Sequence, residues 1–332
     1  MEEQQTNSEE ISNNDSETIE ANEANNSPQN GHVIYKDVVK AMISGYGKKS
    51  NEESKNNFAE LLSKYLKQAV EGNAIVNEYN ILVLFDNTLM VKSDSDRIYK
   101  AITNIEEENK NKKLLLILLS RGGEPGSAYL IGKLCRDSSN GKFVVVVPRY
   151  AKSAATLLAT AADEIHMGDL SELGPIDPQI NKMPALGLKN SIEHIAELVQ
   201  QRPGSSQMFA QYLSLTIEPI QIGYYERAAK SAEQYAEKLL NSHKETLGSE
   251  PSDIAFKLVY DYKDHGFVID KSEAVNIFGV NTIKIKTPEY DIGNEIYNIL
   301  SDFESWADML NHNFYFIGSL DSKPELKKRE IN

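Results

Sequence analysis

The sequence has 332 residues, a formal net charge of −14 and a single cysteine. Its content of 40% hydrophobic and 25% charged residues is that of a soluble globular protein with a sizeable core. One cysteine excludes an intramolecular disulfide and a cysteine-rich metal site, and the acidic balance does not favour a nucleic-acid partner. The acidic N-terminus lacks the layout of a signal peptide, and no apolar run could span a bilayer, so we expect a cytoplasmic protein.

The acidity is concentrated at the N-terminus, where residues 1–31 contain eight acidic side chains and no Lys or Arg. This segment has too few aliphatic residues to offset the entropy cost of ordering, which predicts a disordered acidic tail over 1–31. The polar stretch 321–332 is likewise predicted to be a flexible C-terminal tail. One domain over 32–320 would then carry the function.

Within this domain, helices are predicted at 53–71 and 95–107, on either side of a buried strand at 81–86. Two continuous apolar strands, 113–120 and 143–150, and a short strand, 164–168, follow, and each of the first two leads into a turn and a helix. Strands so uniformly apolar are covered on both faces, which indicates a mainly parallel sheet with helical crossovers. The remaining predicted helices are those at 126–136, 153–162, 191–200, 219–241 and 294–311.

The turn after the first apolar strand reads Ser120-Arg121-Gly122-Gly123. Two glycines allow positive φ angles and present bare backbone N–H groups to a ligand, which is what a tetrahedral oxyanion requires. A plain tight turn is the alternative interpretation.

The turn after the second apolar strand, YAKSAAT, places Ser153 where a helix begins. A nucleophile at this position is favoured by the positive end of the helix and by the free N–H groups of its first turn. The alanines around it would let a substrate backbone approach closely. A simple N-cap is the alternative interpretation of Ser153.

The order of these elements, followed by SELGPIDPQ, resembles that of the Clp proteases and signal peptide peptidases. Over residues 147–180, VPRYAKSAATLLATAADEIHMGDLSELGPIDPQI closely resembles the serine dehydrogenase proteinase family, as does HGFVIDKSEA at 265–274. The resemblance implies a ClpP/crotonase-like ββα superhelix with a mainly parallel sheet and flanking helices. It also implies assembly into a homo-oligomer.

The same resemblance implies a serine endopeptidase that cleaves peptides or unfolded proteins through an acyl-enzyme on Ser153. The backbone N–H groups of Gly122, Gly123 and Ala154 would form its oxyanion hole. No ATPase motif is visible, because SRGGEPGSA lacks the ending of a P-loop, so we expect catalysis without ATP. The six histidines are scattered and no HExxH motif occurs, so neither a metal nor another cofactor is expected.

The general base is less clearly marked, because Asp177 stands where Clp proteases carry a histidine. Signal peptide peptidases use a Ser-Lys dyad, for which Lys230 is the candidate, provided that desolvation lowers its pKa. The polar helical neighbours of Lys230 favour an ordinary solvated lysine instead. His265 is the second candidate base, with a structural histidine as its alternative, and Asp177 could orient a base or shape its loop.

Two other functions remain open. The apparent lack of a Clp-type histidine is compatible with a non-catalytic Clp-like assembly or adaptor protein. A crotonase-type enzyme acting on acyl-CoA thioesters would keep the fold but would require a carboxylate at the oxyanion site. Away from the site, Cys135 and His166 lie in apolar stretches and are predicted to be buried.

Overall fold

The computed structural model describes residues 51–180, 183–216 and 219–329. The predicted tail over 1–31, the start of the domain at 32 and the last three residues lie outside these ranges. The N-terminal half contains α1 (Asn51–Val70), α2 (Ile75–Glu78), β1 (Tyr79–Asp86), α3 (Lys92–Thr103), β2 (Lys113–Ser120), α4 (Pro125–Ser138), β3 (Phe143–Val147), β4 (Tyr150–Ala151), α5 (Ala154–Ala159), β5 (Glu164–Met167) and β6 (Glu172–Leu173).

The C-terminal half begins with a two-stranded hairpin and three helices. Its elements are β7 (Gln179–Ile180), β8 (Met183–Pro184), α6 (Ala185–Gln201), α7 (Ser206–Thr216), α8 (Pro219–Leu240), α9 (Pro251–Phe256), α10 (Lys271–Phe278), β9 (Ile283–Ile285), α11 (Pro288–Met309), β10 (His312–Ser319) and β11 (Glu325–Lys328). Short 3-10 or π turns join several of these elements.

The main sheet has the order β11-β10-β1-β2-β3-β5-β9, and β4 and β6 extend it beside the end of β2. Within it, β1, β2, β3, β5 and β9 pair in parallel, whereas β10 pairs antiparallel with both β1 and β11. Parallel pairing follows from composition, because β2 and β3 are almost wholly buried and each is followed by a helix that returns the chain. The mainly parallel α/β fold predicted from the sequence is confirmed.

Helices cover both faces of the sheet. One core cluster joins β1, β2 and β3 to α3, α4, α5 and α8 through residues such as Ile98, Ile131 and Leu158. On the other face, α11 contacts both β3 and α1, and the rings of Phe58 and Phe303 meet edge to face at 4.9 Å. Among the described residues, no helix combines the length and apolar character needed to cross a bilayer.

The C-terminal stretch from residue 321 differs from the predicted flexible tail. β11 pairs antiparallel with β10, so that Leu326 stands opposite Phe314 and Glu325 opposite Tyr315. Lys327 also lies over the Tyr315 ring, 4.9 Å from its centroid. The polar composition of 321–332 gives no indication of a strand. β11 lies at the edge of the sheet, where charged residues such as lysine protect the strand from further pairing.

Two residues predicted to be buried are found in the core. Cys135 on α4 is fully buried, and this burial raises the pKa of its thiol. His166 on β5 is 2% exposed, and its Nδ1 lies 2.6 Å from the Thr287 hydroxyl. The ring therefore links β5 to the residue that caps α11.

The other ring nitrogen of His166, Nε2, lies 3.1 Å from Glu164, whose second partner is Lys142 at 2.8 Å. Burial by itself raises the pKa of Glu164, but the hydrogen bonds from His166 and Lys142 outweigh it and lower the pKa to about 2. The ionised carboxylate therefore stabilises the folded state, and this stabilisation is present in full at pH values above the ordinary pKa of 4.5.

Glu164→Gln is expected to lower the free energy of unfolding by about 2–3 kcal/mol at pH 7. The stabilisation is present above about pH 4.5 and is lost as the pH falls toward 2, so the difference from wild type should shrink over that window. Urea unfolding between pH 2 and 8 measures it. Glu71→Gln, at an exposed position, is the matched control, and a loss of equal size in both variants at pH 7 contradicts the assignment.

Candidate active site

The two turns singled out in the sequence lie side by side. The end of β2 pairs with β4 through Ser120 and Ala151, and Lys152 N–H donates to the Ser120 carbonyl at 3.0 Å. Both turns therefore leave the carboxyl ends of parallel strands at the same edge of the sheet. Ligand sites of open α/β sheets form at such edges, between neighbouring strand ends.

Ser153 occupies a strained backbone position between β4 and α5, with a φ of 52° and a ψ of −116°. Positive φ is uncommon for a residue other than glycine, and such strain costs about 1–3 kcal/mol. The conformation is fixed from both sides, because Ala155 N–H donates to the Lys152 carbonyl at 2.9 Å and Leu157 N–H to that of Ser153 at 3.0 Å. Sharp strand-to-helix turns of this kind are known to present a nucleophilic serine.

Gly122 packs directly against the Ser153 turn. It has a φ of 101°, and a Cβ atom built on it would lie 2.7 Å from the Lys152 carbonyl oxygen and 3.0 Å from both Ser153 Cβ and Ala154 N. Only glycine fits there, because any side chain would push the serine turn away. The close approach of the two turns therefore depends on glycine at position 122.

Gly123 is held on its other side by Met90. Met90 N–H donates to the Gly122 carbonyl at 2.8 Å and Glu124 N–H to the Met90 carbonyl at 2.9 Å. In an extended segment successive residues direct their hydrogen-bonding groups to opposite edges, so Gly123 N–H is directed away from Met90. β4, which leads into the Ser153 turn, pairs with β2 on that side.

The three predicted oxyanion donors differ in their availability. Gly122 N–H donates to the Ser120 hydroxyl at 3.1 Å and is therefore engaged. Ala154 is the first residue of α5, where an N–H group has no partner within the helix. Gly122 N–H is thus engaged, whereas among the described residues neither Gly123 N–H nor Ala154 N–H donates a backbone hydrogen bond.

Gly122→Ala is expected to destabilise the fold by about 3 kcal/mol or more, because the new methyl group overlaps backbone atoms at a positive φ. Thermal unfolding measures the loss. The control is Gly126→Ala, at a glycine around which a Cβ atom would meet nothing within 4 Å. Equal stability of the two variants would contradict the close contact between the turns.

A histidine and a carboxylate meet beside these turns, although they are far apart in the chain. His265 Nδ1 lies 3.5 Å from Asp177 Oδ2, and Gln179 donates to the same oxygen at 3.1 Å. The Asp177 side chain is 10% exposed and that of His265 is 34% exposed. Asp177 Oδ1 and His265 Nδ1 are buried atoms that have no hydrogen-bond partner in the described structure.

Pairing between distant segments brings these residues to the serine turn. β6 runs parallel to β4, with Leu173 opposite Ala151, and Gly174 N–H continues the pairing by donating to the Ala151 carbonyl at 3.2 Å. Leu173 and Ile269 exchange two backbone hydrogen bonds of 2.9 and 3.0 Å. The residues just after β6 and just before Ile269 therefore lie next to the turn that contains Ser153.

Lys152 ties the same segments together with its side chain. Its Nζ atom lies 3.2 Å from the Leu173 carbonyl, 3.3 Å from the Phe267 carbonyl and 3.2 Å from Glu172. These three acceptors account for its ammonium group. Lys152 thus has a positioning role, which sequence reasoning missed because two of its acceptors are backbone carbonyls.

Lys230 is not buried in the chain. Its Nζ atom lies 2.8 Å from Glu226 one turn earlier on α8, and its side chain is 65% exposed. The hydrogen bond to Glu226 raises the pKa of Lys230, which is the opposite of what a lysine base needs. On the other side of α8, Ala229, Ala232 and Ala236 are buried.

The arrangement suits acyl transfer. Ser153, with strained backbone angles, stands at the start of α5 beside the Gly122 turn, and the segments that carry Asp177 and His265 are joined to β4 through β6. No cluster of three or more His, Cys, Asp or Glu side chains that could hold a metal ion occurs among the described residues.

Comparison with known proteins gives a family match over most of the chain. The model of the ClpP-like SDH-type serine proteinase family matches residues 80–325. Two uncharacterised proteins of Methanocaldococcus jannaschii are 37% identical over 100 residues and 36% identical over 95 residues. These segments cover 30% and 29% of this chain and 34% and 31% of the relatives. The chain thus spans about a third of the length of these curated relatives.

Among solved structures, two mutants of the 1510-N membrane-bound stomatin-specific protease are similar, one of them in complex with a substrate peptide. The first is 13% identical and covers 75% of this chain and 93% of its own. The second is 12% identical and covers 76% of this chain and 88% of its own. Both have a TM-score of 0.40, which supports no functional assignment.

Proposed function

Because the chain belongs to the ClpP-like SDH-type serine proteinase family, we propose that it is a serine peptidase that cleaves peptides or unfolded proteins through an acyl-enzyme on Ser153. The single observation that carries this proposal is the strained turn of Ser153. The backbone at position 122 packs so closely against this turn that only glycine fits there. A serine that served only as an N-cap would adopt ordinary extended backbone angles and would accept a hydrogen bond from the first turn. Ser153 does neither.

In the proposed reaction, Ser153 Oγ attacks the carbonyl carbon of the scissile peptide bond. The negative charge that develops on the carbonyl oxygen is stabilised by the N–H groups of Gly123 and Ala154. Collapse of the tetrahedral intermediate breaks the C–N bond while the leaving nitrogen takes up the proton that the base removed from Ser153, so that the amine product departs and an ester remains on Ser153. Water then hydrolyses this ester and restores the free serine.

The proton from Ser153 requires an acceptor, and we assign this role to His265 with Asp177 as its positioning partner. The carboxylate of Asp177 lies on the Nδ1 side of the ring, so it favours the tautomer that carries the proton on Nδ1. Nε2 is then the basic atom, as in other serine hydrolases. The 3.5 Å between Nδ1 and Asp177 Oδ2 would shorten to a hydrogen bond in the complex with substrate, since catalytic hydrogen bonds are often long in the free enzyme.

Lys230 is the alternative base, and its exposure and its ion pair with Glu226 make it the weaker candidate. We further propose that the enzyme acts without ATP and in the cytoplasm. The first of these statements rests on the sequence, in which no ATPase motif is recognisable.

The experiment that tests the function uses a fluorophosphonate probe, which reacts covalently with activated serines, on the full chain. We expect one adduct, mapped by mass spectrometry to the peptide that contains Ser153, and none in Ser153→Ala. The same preparation should cleave labelled, unfolded casein. If the folded wild-type protein forms no adduct and cleaves nothing, the proposal is wrong and a non-catalytic adaptor with the same fold takes its place.

A further inference from the structure

The loop over residues 87–91, here called the β1 loop, joins β1 to α3 and lies against the glycine turn. Met90 forms a parallel bridge with Gly123 and is fully buried. Its neighbours Leu89 and Val91 are 67% and 39% exposed, so their side chains contribute little packing to the loop. The position of Gly123 therefore depends on how the rest of the β1 loop is held.

Two polar side chains hold the start of the β1 loop. Asp86, which is 2% exposed, accepts hydrogen bonds from both the N–H group and the hydroxyl of Thr88, each at 2.7 Å. The amide oxygen of Asn87 accepts a hydrogen bond from the Tyr150 hydroxyl, and its amide nitrogen donates to the Glu304 carboxylate. Asn87 thus joins the β1 loop to β4 on one side and to α11 on the other.

The direction of these hydrogen bonds is fixed by chemistry. An ionised carboxylate can only accept, so the nitrogen of Asn87 faces Glu304 and its oxygen is left for Tyr150. Arg121, one residue before Gly122, can only donate, and its hydrogen bond to the Tyr150 hydroxyl opposes the rise that burial causes in the pKa of that phenol. The bonds therefore run from the Arg121 cation to the Glu304 anion, and each polarises the next. These four side chains are here called the polar network.

The polar network contacts each segment that carries a part of the candidate site. Arg121 directly precedes the two glycines, and Tyr150 begins the short strand that leads to the serine turn. Asn87 stands three residues before Met90, whose backbone hydrogen bonds hold the glycine turn. The two proposed oxyanion donors belong to different segments. They can stabilise one oxyanion only if these segments keep a fixed separation, because each donor must lie about 2.7–3.1 Å from that oxygen.

We propose that the polar network is a positioning device, which fixes the β1 loop and the glycine turn relative to β4 and so aligns the two oxyanion donors before substrate binds. Its members act through the backbones of Met90 and β4 and not on the reacting atoms. The effect on catalysis rests on the proposed function, whereas the hold on the β1 loop does not. A misplacement of about 1 Å can lower a rate about 10²-fold, so a loosened network should be visible in kcat.

Tyr150→Phe, which removes a single oxygen atom, tests the proposal. It is expected to lower kcat for a fluorogenic peptide about tenfold or more and to change KM less than about twofold, because donor alignment matters most in the transition state. A boronate built on the same peptide forms a tetrahedral adduct with the serine, and its Ki should rise by the factor by which kcat/KM falls. Tyr99→Phe, at a tyrosine of α3 that is 56% exposed, is the matched control and should change neither.

Three further variants separate positioning from folding. Asn87→Ala should have the same effect as Tyr150→Phe, and the double variant should be no slower than the slower single variant, because both changes break one network. Glu304→Gln, whose amide oxygen can still accept from Asn87, should lose less activity than Glu304→Leu. Thermal unfolding establishes that each variant is folded.

Hydrogen exchange measures the hold on the β1 loop without catalysis. The N–H groups of Met90 and Glu124, which donate to the carbonyls of Gly122 and Met90, should exchange at least about tenfold faster in Tyr150→Phe, while the amides of β2 are unchanged. Mass spectrometry of the corresponding peptides records both.

Unchanged exchange in Tyr150→Phe overturns the proposal, whether or not the wild type is active. With an active wild type, faster exchange without a fall in kcat overturns it as well. If the wild type cleaves nothing and the exchange still accelerates as expected, the peptidase function is wrong, and the hold of the polar network on the β1 loop is supported.

Discussion

Ser153→Ala is expected to lower kcat/KM for cleavage of a peptide by at least about 10⁴-fold without disturbing the fold. The hydroxyl is the only group at the turn that can form the acyl-enzyme, whereas the backbone donors of Gly123 and Ala154 remain in place. Residual cleavage should therefore come only from binding and from stabilisation of the oxyanion. Initial rates with a fluorogenic peptide, together with thermal unfolding, measure both effects.

The matched control is Ser272→Ala, in the first turn of α10, where the backbone is helical and no site is proposed. It should retain full activity. A further comparison, Ser153→Gly, separates strain from chemistry. Both Ser153 variants should be inactive, but the glycine variant should be more stable than the alanine variant by about 1 kcal/mol, because glycine adopts positive φ without cost. Activity in either variant would remove Ser153 from the nucleophile role.

His265→Ala is expected to lower kcat by about 10²–10⁴-fold with a smaller change in KM, because proton transfer is lost while the substrate contacts remain. Asp177→Asn should show a loss in the same direction, because an amide can no longer favour the tautomer with the proton on Nδ1. The pH–rate profile adds a readout that a structural role would not change. Its acid limb, which reports protonation of the base, should disappear in His265→Ala.

Two exposed residues provide controls for this prediction. His194→Ala removes a histidine of α6 whose side chain is 69% exposed, and Lys230→Ala removes the competing base. Both should be close to wild type. The double variant of Ser153→Ala with His265→Ala should be no slower than Ser153→Ala alone, since residues that act as a unit are not additive. If Lys230→Ala is inactive and His265→Ala is active, a Ser-Lys dyad replaces the proposed pair.

Much of the fold was predictable because many of its helices and strands are indicated by the composition of their own segments. The apolar run at 113–120 is a strand in the structure, the one predicted at 143–150 forms a strand over 143–147, and the alanine-rich segment after Ser153 is a helix. Such segments are buried on all sides, so composition alone determines their environment.

The strands that were missed depend on contacts across the chain. β10, HNFYFIGS, mixes polar and apolar residues, and it becomes a strand by pairing with β1, more than 200 residues earlier. The predicted last helix was extended to residue 311, whereas α11 ends at Met309 and Asn311 adopts a φ of 59°. Neither the partner strand nor the sharp turn can be read from local periodicity.

The candidate site divides in the same way. The turns of Gly122 and Ser153 carry local signals, because glycine pairs and a serine before an alanine-rich helix are visible in the sequence. No local signal in the sequence indicates that Asp177 lies near His265, because their approach depends on the pairing of Leu173 with Ile269. The role of Met90 was also missed, because it acts through its backbone and any residue with that backbone geometry would serve.

The burial of Cys135 makes this chain suitable for a chemical handle. It is the only cysteine in the sequence, it is fully buried, and its environment disfavours the reactive thiolate. A Ser153→Cys protein would therefore present one accessible thiol, placed where the nucleophile stands, and no background cysteine would have to be removed. Fluorophores, spin labels or disulfide-tethered peptides could then be attached at this single position. The label would report which molecules enter the site.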